Sequence, residues 1–118
     1  MTLKKITIQE GTNIEYSSKE LLFLAQSGQP YRGTVYINFN SQGETFNLLD
    51  FKKYITSLRS VTMNSEDIAY TIYKKIEASI STNKLGIIVD ITARGGIQQR
   101  ISFGESFLPV VKENVFQV

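Results

Sequence analysis

Two absences decide most of what this chain can do: it contains no cysteine and no histidine. Without thiols there is no disulfide, thiolate nucleophile or thiolate metal site, and without imidazole there is no histidine base or ligand. What survives is chemistry by carboxylates, lysine, tyrosine, hydroxyls or oxygen-bound hard cations, or no chemistry at all. A dominant charge is also missing. Thirteen basic residues are scattered among eleven acidic ones, for a net +2, without the dense basic stripe that phosphate backbones require, so nucleic acid is not expected as a partner. No run approaches the ~18 to 20 apolar residues of a bilayer span, and no membrane partner is expected. The segment Met1–Gln9 is basic but lacks an apolar h-region and a small-residue cleavage site; it reads as a first strand, and a cytoplasmic location is the expectation.

What is present is ordinary for a soluble globular protein: 42% hydrophobic and 20% charged residues in 118, enough for one domain, 1–118, with a real core. A deep pocket is not expected within one copy, so a site shared between subunits is. Leu3 to Gln9 approximates a strand, followed by turn chemistry at Glu10-Gly11-Thr12-Asn13. Glu20–Ala25 is an apolar run that reads as strand or as a buried helical turn, with strand preferred. Arg32 to Asn40 alternates Thr34, Tyr36, Asn38 against Val35, Ile37, Phe39, the pattern of a half-buried strand, and ends in Asn40-Ser41-Gln42-Gly43.

Between Phe46 and Ser60, the spacing of Leu48, Phe51, Ile55 and Leu58 predicts one apolar helix face flanked by Lys52, Lys53 and Arg59. A second helix is predicted after Met63, with Asn64 or Ser65 as cap, Glu66 and Asp67 in the first turn, and Ile68, Ile72, Ile76 and Ile80 on one face. It stops near Ser81-Thr82-Asn83. Leu85, Ile87, Val89 and Ile91 then alternate against Ile88, Asp90 and Thr92, and Gly95-Gly96 turns the chain into Ile97–Phe103 as a hairpin. The resulting order, strand-strand-helix-helix-strand-strand, implies an α+β fold whose antiparallel sheet carries a helix pair on one face. Its free edges make oligomeric closure into a barrel the natural expectation, as a homo-oligomer.

The order of elements and several local motifs resemble the tunnelling fold and, within it, the NADPH-dependent 7-cyano-7-deazaguanine reductases of queuosine biosynthesis. The matching pieces, between about Leu22 and Gly104, are Gly28-Gln29-Pro30, Thr34-Val35-Tyr36-Ile37, Phe51-Lys52-Lys53-Tyr54 with Ser57-Leu58-Arg59, Glu66-Asp67, and Ala93-Arg94-Gly95-Gly96-Ile97. The resemblance implies a nucleophilic cysteine four residues before Gly-Gln-Pro and an acidic aspartate directly after it. Those positions hold Leu24 and Tyr31, so nitrile reduction by a covalent thioimide is expected to be absent, and amidine formation with it. The family's Glu-Ser-Lys-Ser-Leu-Lys cofactor motif falls on Asn47-Leu48-Leu49-Asp50-Phe51-Lys52, where the final lysine alone remains; no NADPH or other cofactor is expected. The family's His-Glu pair falls on Ser65-Glu66. Its glutamate is the base anchor, and a carboxylate suits the ring NH and exocyclic amine of a guanine-like edge.

Each candidate also has a plainer structural role. Glu66 in a first helical turn contributes about 0.3 to 1 kcal/mol through the helix dipole without any ligand. Arg94 either orients a ligand at a shared interface or is a solvated strand end, and Gly28-Gln29-Pro30 serves any turn. Tyr31 offers a phenol for stacking on or bonding a purine, whereas Leu24 fills the space of the lost nucleophile. Tyr70, Tyr73, Lys74 and Lys75 read as helix surface and interface, and Phe107–Val111 as an apolar tail packing on a neighbour or on its own core.

The expectation is a catalytically degenerate relative of the reductases, an oligomer binding a purine, pterin or deazaguanine through Ser65, Glu66, Tyr31, Leu24 and Arg94, with no catalytic residue and no metal. Two other readings stand beside it: a metal-free pterin-type or purine-type enzyme using tyrosine, lysine and glutamate, and a scaffold or non-catalytic subunit beside an active homologue. Zinc-dependent tunnelling-fold chemistry is excluded by the missing ligands.

Overall fold

Alternation of apolar and polar side chains builds the central strand: over Pro30–Ser41 (β3), Val35, Ile37 and Phe39 point into the core and Thr34, Tyr36 and Asn38 point away. The computed structural model describes residues 2–110, apart from the side chains of Ala93 and Arg94. Asn13–Leu24 (β2) lies on one side of β3 and Thr82–Arg94 (β5) on the other, and Ile97–Gly104 (β6) pairs with β5, giving an antiparallel sheet ordered β2-β3-β5-β6. The β5–β6 hairpin turns at Gly95-Gly96, as expected, with Arg94 opposite Ile97.

Two differences from the sequence reading lie before the first helix. β2 is twelve residues long and starts at Asn13, well ahead of the apolar run at Glu20. Its register breaks between Ser18 and Leu21, and this bulge moves the inward face from even positions (Ile14, Tyr16) to odd ones (Leu21, Phe23). The expected first strand shortens to Lys5–Thr7 (β1) and pairs in a separate small sheet with an unforeseen strand, Glu44–Phe46 (β4). The turn into β4 is fixed by buried Ser41, whose Oγ accepts from the Gly43 amide at 2.9 Å and donates to the Glu44 carbonyl at 3.2 Å.

Leu48–Ser57 (α1) begins at Asn47, whose Oδ1 accepts from the Asp50 amide at 3.0 Å. Phe51, Tyr54 and Ile55 are buried, and Leu58 follows in a single 3-10 turn, Leu58–Ser60. Leu48 departs from the predicted face: it is 55% exposed, whereas Tyr54, outside that spacing, is buried. Ile68–Ser79 (α2) carries Ile68, Ile72 and Ile76 inward as predicted, with Ile80 buried just beyond its end. The expected side-chain cap is absent. The chain enters α2 through a 3-10 turn, Ser65–Asp67, that Asn64 closes with its backbone carbonyl, accepting from the Asp67 amide at 3.0 Å.

Both helices pack on the face formed by Val35, Ile37, Ile87 and Val89, in one continuous core. The opposite face carries Thr34, Tyr36 and a cross-strand pair, Asp90 and Arg100; Ile88 is buried there, outside that core. No helix covers this face among the described residues, but the chain after β6 does so in part. The Glu105 amide donates to the Leu85 carbonyl at 2.9 Å, and the Val110 amide reaches the Glu15 carboxylate on β2 at 2.8 Å. This path requires glycine at position 86, where a Cβ would stand 2.1 Å from the Glu105 carbonyl oxygen and 3.0 Å from the Phe107 ring. Of the apolar tail, Phe107 lies against the sheet at Gly86 and Val110 is tied to β2 through its amide, while the side chains of Leu108 and Val110 stay exposed; Val111 lies outside the described residues.

Candidate functional site

The link from β2 to β3 is drawn closed by its own backbone: the Ala25 amide donates to the Gln29 carbonyl at 2.8 Å and the Gly28 amide to the Ala25 carbonyl at 2.9 Å. Gly28 has φ of +88°, a conformation in which a side chain would be strained. Just past this turn, Tyr31 sets its ring against Phe23, centroids 5.1 Å apart. Leu24, at the other foot of the turn, is held through its backbone. Its amide donates to the Val61 carbonyl and its carbonyl accepts from the Met63 amide, both at 2.9 Å, in a parallel bridge with Thr62.

That bridge stitches the end of β2 to the residues immediately before Ser65 and Glu66. Ser65 is buried at 3% exposure, and its hydroxyl donates to the Glu66 carboxylate at 3.3 Å; Glu66 itself is exposed. At its other end α2 shares a hollow with the start of β5 and the end of β6, lined by Glu77, Ile80, Leu85 and Gly104. The beginning of α2, and Glu66 with it, therefore lies toward the opposite end of those strands, where Ile91 and Gln99 stand paired.

A cleft of about 260 Å³ opens at this end, with Ser27, Gln29, Tyr31, Ile91, Thr92 and Gln99 in its lining. Of the residues singled out from sequence, Tyr31 lines it. Leu24, Ser65 and Glu66 share this end of the molecule without lining the cleft. The backbone of Arg94 closes β5 beside it, and its side chain lies outside the described residues. Gln99 was not anticipated, although its signal was present: Ile97, Gln99, Ile101 and Phe103 alternate along β6, and Gln99 is the polar member of that series. Its Oε1 is shielded from solvent and has no hydrogen-bond partner. A broader hollow of about 550 Å³ at the far end of α2 includes Gln42, Glu77, Lys84 and Glu105, and no candidate residue reaches it.

Next to the cleft, on the helix-free face, Arg100 grips Asp90 through Nε and Nη2, the second contact at 2.8 Å. Hydrogen bonding to Asp90 holds the guanidinium still more firmly in its charged form, and the charge of Asp90 adds to this. At the start of α1, where the sequence placed a degraded cofactor motif, Asn47 is occupied as a cap, Asp50 accepts the Lys4 amide at 2.9 Å, and Leu48 and Leu49 face solvent. Among the described residues no cluster of three or more acidic side chains could hold a metal ion, and no helix is long and apolar enough to cross a membrane.

Comparison with known proteins agrees with this fold. The family model described as QueF-like protein matches residues 30–106. The chain is similar to an NADPH-dependent 7-cyano-7-deazaguanine reductase of Sulfurimonas denitrificans, 28% identical over 83 residues, which is 70% of this chain and 66% of that protein. The match thus spans just under two thirds of the relative. The fold is similar to the crystal structure of the archaeosine synthase QueF-Like in the apo form, with a TM-score of 0.70 at 14% identity, covering 86% of this chain and 99% of that one. The expected α+β tunnelling fold is therefore the one observed, and by its family match and its architecture this chain belongs to the QueF-like family.

Proposed function

We propose that this protein binds a purine, pterin or deazaguanine base and does not reduce a nitrile. The observation that carries the proposal is the cleft beside the Gly28-Gln29-Pro30 turn, which keeps a tyrosine ring and hydrogen-bonding groups but has Leu24 at the foot of the turn. An isobutyl side chain cannot form a covalent thioimide, whatever binds next to it. Glu66 is the proposed anchor for the base edge: it is exposed, it sits just ahead of α2 toward the end of the molecule where the cleft opens, and its described side-chain bond is a long one to Ser65.

A nicotinamide dinucleotide does not fit the residues at the start of α1. Exposed Leu48 and Leu49 offer ribose and phosphate nothing to bond, and the Asp50 carboxylate is committed to the Lys4 amide. We therefore propose binding without NADPH. The assembly we propose is a homo-oligomer. Exposed Ile97, Phe103 and Tyr70 lie along or against β6, whose outer edge is unpaired in the described chain, and a second copy would cover them.

Calorimetric titration with guanine, 7-cyano-7-deazaguanine and a pterin tests the reading. At least one should bind, Glu66→Gln should weaken it tenfold or more, and no NADPH oxidation should accompany binding. Absence of heat with all three would remove the binding function.

A further inference from the structure

Among the described residues, one buried side-chain oxygen or nitrogen stands without a hydrogen-bond partner: Oε1 of Gln99. Proteins seldom leave a carbonyl oxygen dry and unmet, because its hydration is lost and nothing replaces it. The location makes the exception informative. Gln99 lies opposite Ile91 on the helix-side face of the sheet, in a strand whose neighbouring positions on that face, Ile97 and Ile101, are apolar. A leucine or isoleucine would continue that series at no polar cost, so the amide is not what the fold asks for here. It lines the cleft together with Tyr31, Ser27 and Thr92.

We propose that Gln99 is a specificity-determining contact of this cleft: its carbonyl oxygen, unmet where it rests, turns toward the opening with the side-chain amide and accepts an N–H from a neutral, fused-ring heterocycle set beside Tyr31. The proposal rests on the base-binding reading above and deepens it by naming the ligand class and the group that selects it. A carbonyl oxygen meets a lactam N–H or an exocyclic amine and repels a ring lone pair or a second carbonyl placed at the same point. The space of about 260 Å³ suits one bicyclic ring system, and none of the described side chains lining it is charged. The ligand is accordingly a free base or a comparable small heterocycle, and a phosphate group gains nothing from this cleft.

The test is equilibrium dialysis of the full chain with guanine, guanosine 5′-monophosphate and caffeine, a bicyclic heterocycle with no N–H. Each is measured on wild type, Gln99→Met, Gln99→Leu and Glu66→Gln, with thermal melting of every variant. The expected result is binding of guanine, at least tenfold weaker binding of caffeine, and no gain in affinity from the phosphate of the nucleotide. Both Gln99 variants should lose guanine affinity tenfold or more while melting at or above the wild-type temperature, since each removes an unmet polar atom. Undiminished guanine binding in both Gln99 variants, with loss in Glu66→Gln, overturns the role of Gln99 and leaves the base-binding reading standing. Tighter binding of the nucleotide overturns the ligand class, and a lower melting temperature in both Gln99 variants shows a structural partner and also overturns the proposal. Failure of wild type to bind any of the three defeats this proposal together with the reading on which it rests.

Discussion

Tyr54 is the group whose titration should be visible in the stability of the whole domain. It lies on α1 at 8% exposure, its ring 6.5 Å from Phe51 and 5.5 Å from Lys75 Nζ. Burial disfavours the phenolate and pushes the phenol up to about 12, from an ordinary value of 10.0. Because the folded value is the higher one, the native state keeps its proton when the unfolded chain has begun to lose it. The contribution is complete below about pH 10 and is lost as pH rises through about 12. At about 1.4 kcal/mol per unit the shift corresponds to roughly 2.7 kcal/mol, and residual solvent contact brings the working figure to about 2 kcal/mol. Tyr54→Phe keeps the ring and removes the ionisation. Urea unfolding of both proteins, followed by far-ultraviolet circular dichroism from about pH 8 to about pH 12, should give curves that run parallel at first. Above about pH 10 the wild type should fall away from the variant by about 2 kcal/mol. Every other ionisable group is present in both proteins, so its contribution cancels in the difference. Curves that stay parallel to the alkaline limit would refute the account of how α1 sits on the sheet.

Two further outcomes follow from the backbone. Gly86→Ala places a methyl group 2.1 Å from the Glu105 carbonyl oxygen, so the segment after β6 should lift from the sheet at a cost of about 1 to 3 kcal/mol; a lowered urea midpoint and faster proteolysis beyond Gly104 would show it, and an unchanged midpoint would contradict it. In Leu24→Cys combined with Tyr31→Asp, the introduced thiolate should add to the nitrile carbon of 7-cyano-7-deazaguanine while the nitrile nitrogen takes up a proton. Intact-mass spectrometry should then show a gain equal to the whole ligand, absent from wild type; a variant that binds the ligand without this gain would show that residue 24 does not face the bound base.

The parts of the fold that repeat with a single period were legible in the sequence. Ile68, Ile72, Ile76 and Ile80 predicted the buried stripe of α2, and Val35, Ile37 and Phe39 predicted the inward face of β3, because nothing interrupts either period. β2 was not legible along its length. Its inward residues change from even to odd numbers at the bulge after Ser18, so no single alternation runs through it, and only its apolar end stood out. β4 is three residues long, too short for a pattern, and its existence depends on Ser41 shaping the turn before it. Leu48 was misplaced because spacing puts it on the stripe of Phe51 and Ile55, but spacing does not say which turns of the helix the core covers, and the first turn is exposed. At the candidate site, motif matching pointed to Leu24 and Tyr31 beside the Gly28-Gln29-Pro30 turn and to Ser65, Glu66 and Arg94 farther along the chain; of these, Tyr31 lines the cleft. Gln99 reaches the same cleft through strand pairing across β5, and no local motif carries that relation.

The way Leu24 is held shows which of its atoms the architecture uses. Residue 24 contributes to the fold through its amide and carbonyl, which bridge to Val61 and Met63 and bring the Ser65–Glu66 turn alongside the end of β2. Those two hydrogen bonds are indifferent to the side chain, so exchange between cysteine and leucine changes chemistry without disturbing the bridge. The same holds across the turn: Gly28 and Gln29 close the loop through backbone groups, and Tyr31 packs on Phe23 by its ring. The bridge and the turn are thus held by backbone atoms, which makes them independent of the side chain at residue 24.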